Sequence, residues 1–242
     1  MIYGTPTIVT NGLVLNLDAA NTKSYVSGST VWRDISGNSF NGSFINGLTF
    51  SNQNGGTIVF DGSNDYISFG SFSTTSPLSF TSGSFTLEHW VKPTALQPGT
   101  YFGLTNMILT KGPASTFNYA TQITTSGSVS FIHRDNSESL IFNTFTVGNI
   151  LNTVSHLVFA INSSGTQISL YINGLLSGTQ NLTGKPITPY NNDLVSVGGG
   201  NLGNTNAVFI GNIYVNRIYN RTLSAQEITQ NYNALKSRFG LS

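Results

Sequence analysis

Short runs of β-branched and aromatic residues recur along the whole chain, and clusters of Gly, Asn and Ser separate them. A repeat of roughly 8–12 residues from run to run is typical of antiparallel strands joined by tight turns. In 13–18 the leucines occupy every second position. In 85–91 the residues Phe85, Leu87, His89 and Val91 alternate with Thr86, Glu88 and Trp90. A period of two places one set of side chains on a core face. The pattern therefore predicts an all-β protein.

Turn-forming residues divide these runs into strands. The predicted hairpins connect 119–124 with 129–133, 157–161 with 167–172, and 170–172 with 175–176. The last of them turns at Asn173-Gly174, two residues that both tolerate the positive φ of a two-residue hairpin loop. Asp61-Gly62-Ser63-Asn64 forms another predicted turn, between the strands 57–60 and 66–69.

One segment near the C-terminus has the features of a helix. Ser224 and Glu227 have the spacing of a capping box, in which each side chain satisfies a backbone amide of the other residue. An apolar stripe follows at spacings of four, three and four residues: Ile228, Tyr232, Leu235 and Phe239. We expect an amphipathic helix over about 224–239 that ends at Gly240 and packs against a sheet.

The composition supports a single packed domain. The chain has 242 residues with 16 Phe, 10 Tyr and 2 Trp, and no linker or charge run divides it. We expect an N-terminal arm at 1–11 and one domain at 12–242. The predicted core residues are Leu13, Leu15, Phe60, Phe85, Leu87, Trp90, Leu157, Phe159, Leu170, Ile172, Ile213 and Val215.

The charge content excludes several classes of partner. Charged residues make up 8% of the chain, against roughly 25% in a typical protein. Ten Lys and Arg against nine Asp and Glu give a net charge of +1 without clustering, so nucleic acid and anionic membrane surfaces are not expected partners. The absence of Cys excludes disulfides and cysteine-ligated metals. We identify no signal peptide and no apolar run of roughly 18 residues.

Several segments resemble one family in their order along the chain. They are Gly12 to Ala19, Trp32 to Asn38, Phe60 to Ile67, Phe85 to Pro93, Leu170 to Gly174, and Ile213 to Ile228. Together they are similar to the laminin-G-like and pentraxin-like branch of the concanavalin A-like lectin/glucanase superfamily. The resemblance implies a jelly-roll sandwich of two antiparallel sheets with one C-terminal amphipathic helix.

The amino-acid sequences of 17–21 and 231–236 are similar to those of modules found in virion proteins of tailed bacteriophages. The resemblance implies a non-enzymatic structural and binding module on the virion exterior, as a capsid decoration or a tail or fibre component. Its expected partners are other virion proteins, further copies of itself and host surface polysaccharide. A carbohydrate-binding lectin outside a virion is the alternative, and a glycoside hydrolase is a weaker one.

Few residues suit acid–base catalysis. The glutamates are Glu88, Glu138 and Glu227. Glu227 belongs to the predicted capping box, so a glycosidase pair would have to join Glu88 with Glu138 or with Asp135. The histidines at 89, 133 and 156 have no metal or triad spacing, and we expect them to be hydrogen-bonded structural side chains. We therefore expect no catalytic residues.

Calcium is the cofactor that the superfamily most often carries. Asp34, Asp61 and Asp65 place oxygen ligands in short Gly-containing loops and are the candidate calcium ligands. The alternative is that these carboxylates bond to the backbone of their own turns, as Asp often does.

Aromatic residues beside amides are the candidate sugar contacts, because a ring can stack on a sugar while an amide bonds its hydroxyl groups. The candidates are Tyr101, Phe102, Phe117, Asn118, Tyr119, Tyr190 and Asn191. We expect them in loops at one rim of the sandwich, where binding sites concentrate. The alternative is ordinary loop packing.

Overall fold

The structure is a computed structural model that describes residues 6–72, 76–80, 83–98, 103–112, 118–135, 137, 139–162, 166–182, 187, 193–199 and 207–242. The strands are β1 (Leu13–Asp18), β2 (Val31–Trp32), β3 (Gly42–Ile45), β4 (Thr49–Ser51), β5 (Thr57–Asp61), β6 (Tyr66–Phe72), β7 (Phe85–Pro93), β8 (Met107–Lys111), β9 (Tyr119–Ile123), β10 (Val129–Arg134), β11 (Leu140–Phe145), β12 (Ser155–Ile161), β13 (Gln167–Ile172), β14 (Leu175–Asn181), β15 (Asp193–Val197) and β16 (Ile210–Tyr219). Helix α1 (Ala225–Leu235) and a 3-10 turn (Lys236–Phe239) follow.

The strands form two antiparallel sheets, which confirms the predicted all-β jelly-roll sandwich. Sheet A has the order β14-β13-β12-β7-β16-β5-β4, and β1 pairs with β16. Sheet B has the order β11-β10-β9-β8-β15-β6-β3-β2. β4 is therefore an edge strand of sheet A, and β2 and β3 form an edge of sheet B. The candidate site described below lies where these edges meet.

The predicted hairpins are present as antiparallel pairs β9–β10, β12–β13 and β13–β14. Asn173 and Gly174 have φ values of 50° and 79°, the left-handed conformation that this turn requires. The turn at 61–64 differs, because its flanking strands β5 and β6 lie in opposite sheets. It therefore carries the chain from one sheet to the other.

The predicted core residues pack as expected. Ten of the twelve have relative exposures of 1% or less, and Leu13 and Ile172 are half-buried at strand ends. Most lie between the two sheets, but Trp90 and Val215 belong to a separate cluster with Tyr214 and Tyr232. That cluster lies on the outer face of sheet A, which α1 covers. The sandwich thus has a second apolar layer outside its main core.

Helix α1 begins as the sequence predicts, but the α-helix ends at Leu235 and the last predicted residues form the 3-10 turn Lys236–Phe239. The Ser224 side chain accepts from Glu227 N, and the Glu227 side chain accepts from Ser224 N, so both halves of the capping box are present. Gly240 ends the 3-10 turn at φ 66°. Arg238 fixes this end to the sandwich, since it bonds Asp18 Oδ1 at 2.7 Å and the carbonyl oxygens of Asn54 and Gly56.

The described part of the predicted N-terminal arm packs on α1. Val9 is buried, its N–H donates to Asn231 Oδ1, and its carbonyl oxygen accepts from the Tyr219 hydroxyl. Residues near Val9 thus help to close the outer face of sheet A. Among the described helices, none has the length and hydropathy of a membrane span.

Candidate functional site

Four polar side chains meet beneath α1, and we call Glu88, His156, Arg217 and Asn231 the buried charge cluster. Glu88 accepts from Arg217 Nη1 at 2.8 Å and from Asn231 Nδ2 at 2.7 Å, and His156 Nε2 lies 3.2 Å from Glu88 Oε1. Burial raises the pKa of Glu88, but Arg217, His156 and Asn231 outweigh that effect and lower the pKa to about 2. Glu88 is therefore an ionised carboxylate with no exposure to solvent.

This arrangement removes Glu88 from the carboxylates that the sequence offered for catalysis. Glu88 lies under α1 and cannot reach a glycosidic bond. Glu227 is engaged in the capping box and pairs with Arg221 at 2.6 Å. Asp135 is half-buried, and hydrogen bonds from Ser137 lower its pKa. Glu138 lies outside the described residues.

The histidines are fully buried structural side chains. His89 lies between the sheets, with Nδ1 2.5 Å from Asn216 Oδ1 and Nε2 3.2 Å from the Thr121 hydroxyl. Burial lowers the pKa of His89 to about 4, so the imidazole is neutral at pH 7. His133 Nδ1 lies 3.1 Å from Asn143 Nδ2. These contacts fit structural roles.

Asp34 does not have the free oxygens of a calcium ligand. Its Oδ1 accepts from the amides of Asn16 and Ser36, and its Oδ2 accepts from the Ser36 hydroxyl and the Phe40 amide. Four donors therefore occupy the carboxylate. Through these bonds Asp34 ties the segment between β2 and β3 to β1. The prediction of Asp34 as a metal ligand is therefore wrong, and the backbone-bonding alternative holds.

Asp61 and Asp65 lie together in the turn between β5 and β6. Asp65 Oδ2 accepts from Asp61 N at 3.2 Å, and Asp61 Oδ1 accepts from Ser63 N at 2.7 Å. Asp65 is 2% exposed, and its Oδ1 has no hydrogen-bond partner. Burial, and then the neighbouring Asp61 charge, raise the pKa of Asp65. No group of three potential metal-ligating side chains occurs in the described ranges, so Asp34 does not join this pair.

The predicted sugar contacts at 118 and 119 are wrong. Tyr119 is a core side chain with no exposure, and its hydroxyl donates to the Leu78 carbonyl oxygen. Asn118 is 1% exposed at the start of the same strand. Strand pairing of β9 with β8 and β10 places Tyr119 inside the sandwich. The other candidates, Tyr101, Phe102, Phe117, Tyr190 and Asn191, lie outside the described residues.

A different set of aromatic residues borders an open groove of about 360 Å³. We call it the aromatic groove; its rings are Tyr25, from the segment between β1 and β2, Phe44, from β3, and Phe50, from β4. The Tyr25 ring stacks on Phe44 at 5.6 Å between centroids and lies 4.9 Å from Phe50. The groove therefore spans the edges of both sheets.

The rings of the aromatic groove have different exposures. Tyr25 is 5% exposed, its hydroxyl donates to the Ser29 carbonyl oxygen, and burial raises its pKa. Phe44 and Phe50 are half-buried, so they present aromatic surface to solvent. Tyr25 is thus the fixed centre of the cluster, and the two phenylalanines are its accessible part.

The remaining wall of the groove is polar but uncharged. Hydroxyl side chains come from Ser27, Ser29, Thr30 and Thr49, and glycines 28 and 47 leave the backbone open. No described lining residue carries a charge. Concave sites with apolar rings and a few convergent polar groups are the usual form of small-molecule sites.

Sequence reasoning did not select the aromatic groove. Each of its rings does follow or precede Gly, Ser, Thr or Asn, as in Ser24-Tyr25, Ser43-Phe44 and Thr49-Phe50. That signal could have added them to the list of aromatic candidates. It could not have ranked them, because the stacking of three rings from separate segments depends on how the sheet edges meet.

Comparison with known proteins places this fold in a family. The sequence profile described as "Concanavalin A-like lectin/glucanases superfamily" (Laminin_G_3) matches residues 61–229, which is more than half of the chain. No curated protein sequence matches the chain significantly.

Solved structures with the same fold include binding domains of toxins and of an enzyme. The binding domain of Paraclostridial Mosquitocidal Protein 1 matches with 18% identity and a TM-score of 0.69, over 93% of this chain and 52% of that chain. Domain 4 of an extracellular arabinanase from Geobacillus stearothermophilus, in complex with arabinotriose, matches with 17% identity and a TM-score of 0.62, over 91% and 98%.

The ligand binding domain of botulinum neurotoxin serotype D, in complex with N-acetylneuraminic acid, matches with 15% identity and a TM-score of 0.66, over 93% and 51%. The chain thus spans about half the length of the two toxin domains and nearly the whole arabinanase domain. At these identities the likeness shows the fold. The family match and the two-sheet architecture agree: the chain belongs to the concanavalin A-like lectin/glucanase superfamily.

Proposed function

We propose that the chain is a non-enzymatic carbohydrate-binding domain and that the aromatic groove holds the sugar. The observation that carries this proposal is the pair of half-exposed rings, Phe44 and Phe50, set among hydroxyl side chains at the edges of both sheets. A sugar has apolar C–H faces and a rim of hydroxyl groups. The groove offers a matching surface for each.

The chemistry of the groove suits hydroxyl groups in particular. A Ser or Thr hydroxyl is one donor and two acceptors, and so is a sugar hydroxyl, so either partner can adjust. Buried Tyr25 holds Phe44 and Phe50 in place, and a site whose rings are already ordered loses less entropy when a ligand binds. The arabinotriose bound to the structurally similar arabinanase domain supports the same type of ligand.

The state of the glutamates supports the non-enzymatic part. Hydrolysis by the usual mechanism requires two carboxyl groups on either side of the glycosidic bond. Glu88 is sealed under α1 and Glu227 is engaged at the start of that helix. Neither lines the aromatic groove. We expect no release of reducing ends from any polysaccharide that the protein binds.

Binding by isothermal titration calorimetry, with arabinotriose and a panel of other oligosaccharides, tests the proposal. Phe50→Ala and Phe44→Ala should each weaken binding by about tenfold or more, because each removes one of the accessible rings. Phe142→Ala is the matched control, since Phe142 is an exposed phenylalanine on the distant edge strand β11. Equal effects of all three variants, or no binding at all, would overturn the proposal.

We further propose that the domain resides on the exterior of a bacteriophage particle, together with other virion proteins and further copies of itself. The support is the likeness of 17–21 and 231–236 to virion modules and the nearly uncharged composition. Mass spectrometry of purified particles tests this, and peptides of this chain should be present in fixed stoichiometry with the structural proteins. Their absence from washed particles would contradict the proposed location.

A further inference from the structure

We propose that the aromatic groove selects uncharged glycans and rejects acidic ones such as sialylated or uronic acid-containing chains. This inference rests on the proposed function and adds the chemical class of the ligand. The two sugars held by similar structures differ in this property, because arabinotriose is neutral and N-acetylneuraminic acid carries a carboxylate. The groove of this chain fits the first class.

The inference rests on the residues that line the groove. Its described residues are three aromatic rings, one leucine, two glycines and four hydroxyl residues, and none of them is a cation. Three of the five arginines pair with carboxylates away from the groove: Arg217 with Glu88, Arg221 with Glu227 and Arg238 with Asp18. Lys23 and Arg33 flank the segment that carries Tyr25, but neither lines the groove.

A carboxylate in this groove would lose water without gaining a charged partner. Removing an ion from water is costly unless it is paired and hydrogen-bonded, whereas a hydroxyl exchanges one hydrogen bond for another at little net cost. Phe44 and Phe50 add to this discrimination, because the face of an aromatic ring is negative and repels an anion that lies over it. Neutral sugars avoid both penalties.

The experiment uses oligosaccharide pairs that differ only in an acidic group. Sialyllactose and its methyl ester, and oligogalacturonates and their methyl esters, are titrated into the full chain at low and at high salt. The neutral member should bind about tenfold or more tightly than the acidic one. Its affinity should also be independent of ionic strength, because no charge contributes to binding.

A substitution that adds a cation to the groove provides the second test. Thr49 is an exposed groove residue on the edge strand β4, and Thr179 is an exposed threonine on β14 at the opposite edge of the same sheet. Thr49→Lys should raise the affinity for the acidic member about threefold or more at low salt, an effect that salt screens. Thr179→Lys should leave both affinities unchanged.

The outcomes separate this inference from the proposal on which it rests. Tighter binding of the neutral members, sensitive to Phe50→Ala, supports both. Equal or tighter binding of the acidic members, also sensitive to Phe50→Ala, overturns the selectivity and leaves carbohydrate binding in place. Binding of neither class, or binding that Phe50→Ala does not weaken, overturns the proposed function itself.

Discussion

Two of the aromatic clusters among the described residues differ in what covers them. On the outer face of sheet A, Trp90 stacks on Tyr232 of α1 at 5.8 Å between centroids, and both rings are buried. At the edges of the sheets, Tyr25 stacks on Phe44 and makes a tilted contact with Phe50, but the two phenylalanines stay partly exposed. The comparison shows that ring stacking by itself does not distinguish packing from a binding surface.

The two regions also differ in their charged side chains. The sealed region contains the buried charge cluster, with Glu88 and Arg217 fully desolvated and mutually paired. The aromatic groove contains no charge among its described lining residues. In this chain, ion pairs serve the closed side, where α1 docks, and neutral hydroxyls serve the open side. Substitutions in the two regions should therefore affect different properties.

The largest expected effect is on the sealed side. Arg217→Met removes the charged main partner of Glu88 and leaves the buried carboxylate with only Asn231 and His156, which should lower the free energy of unfolding by about 3–5 kcal/mol. Chemical denaturation measures it. The double variant Glu88→Gln/Arg217→Met should recover most of the loss, because no charge is then left unpaired. A loss below 1 kcal/mol for the single variant would contradict the assigned pairing.

Acid should act on the interior and leave the groove unaffected. The pKa of His89 falls from 6.5 to about 4 on folding. Between these values the unfolded chain binds the proton more tightly, so stability decreases as the pH falls from 6.5 to 4, by about 3 kcal/mol in all. His89→Gln should flatten that dependence. The affinity for neutral glycan should stay constant over the same range, as long as the protein is folded.

An alanine substitution in each of the two ring clusters gives the sharpest contrast. Tyr232→Ala should reduce stability by about 2–3 kcal/mol, since it removes a buried ring that stacks on Trp90. Phe50→Ala should cost about 1 kcal/mol or less, because its ring is already partly exposed to solvent, while glycan binding weakens about tenfold or more. Thermal denaturation and titration of both variants measure the two properties. A larger loss of stability in the groove variant, or a larger loss of glycan affinity in the variant under α1, would contradict the division between the regions.

Calcium should have the smallest effect. Only Asp61 and Asp65 among the predicted ligands lie together, and Asp34 is saturated by backbone and side-chain donors. We expect millimolar calcium to stabilise the fold by about 1 kcal/mol or less, and Asp65→Asn to abolish this response. Melting temperatures with calcium and with a chelator measure it. A large shift that persists in Asp65→Asn would point to other ligands.

The fold was predictable because its determinants are local. Alternation over 85–91, the left-handed pair Asn173-Gly174 and the capping box at Ser224 each report their structure within a few residues. The same local logic should have excluded Tyr119 as a loop contact, since it opens a predicted strand. Its burial between the sheets follows from that assignment.

The candidate site was not predictable, because it depends on how edges meet. Tyr25, Phe44 and Phe50 belong to three different segments, and only the approach of β4 to the β2–β3 edge brings their rings together. Nothing in the sequence distinguishes them from the buried rings Trp90 and Tyr232. The pairing of Glu88 with Arg217 was equally hidden, since 129 positions separate the two residues.

The most direct test of glycan binding in the aromatic groove is to map a bound glycan onto the chain by amide chemical-shift changes in two-dimensional NMR. A neutral oligosaccharide from the titrated panel is added to the labelled full chain. We expect the shift changes to concentrate in residues 25–50 around the aromatic groove, while the amide shifts on the face covered by α1 stay unchanged. Shifts that concentrate instead at 101–102, 117 or 190–191, with none at Phe44 or Phe50, would contradict this expectation.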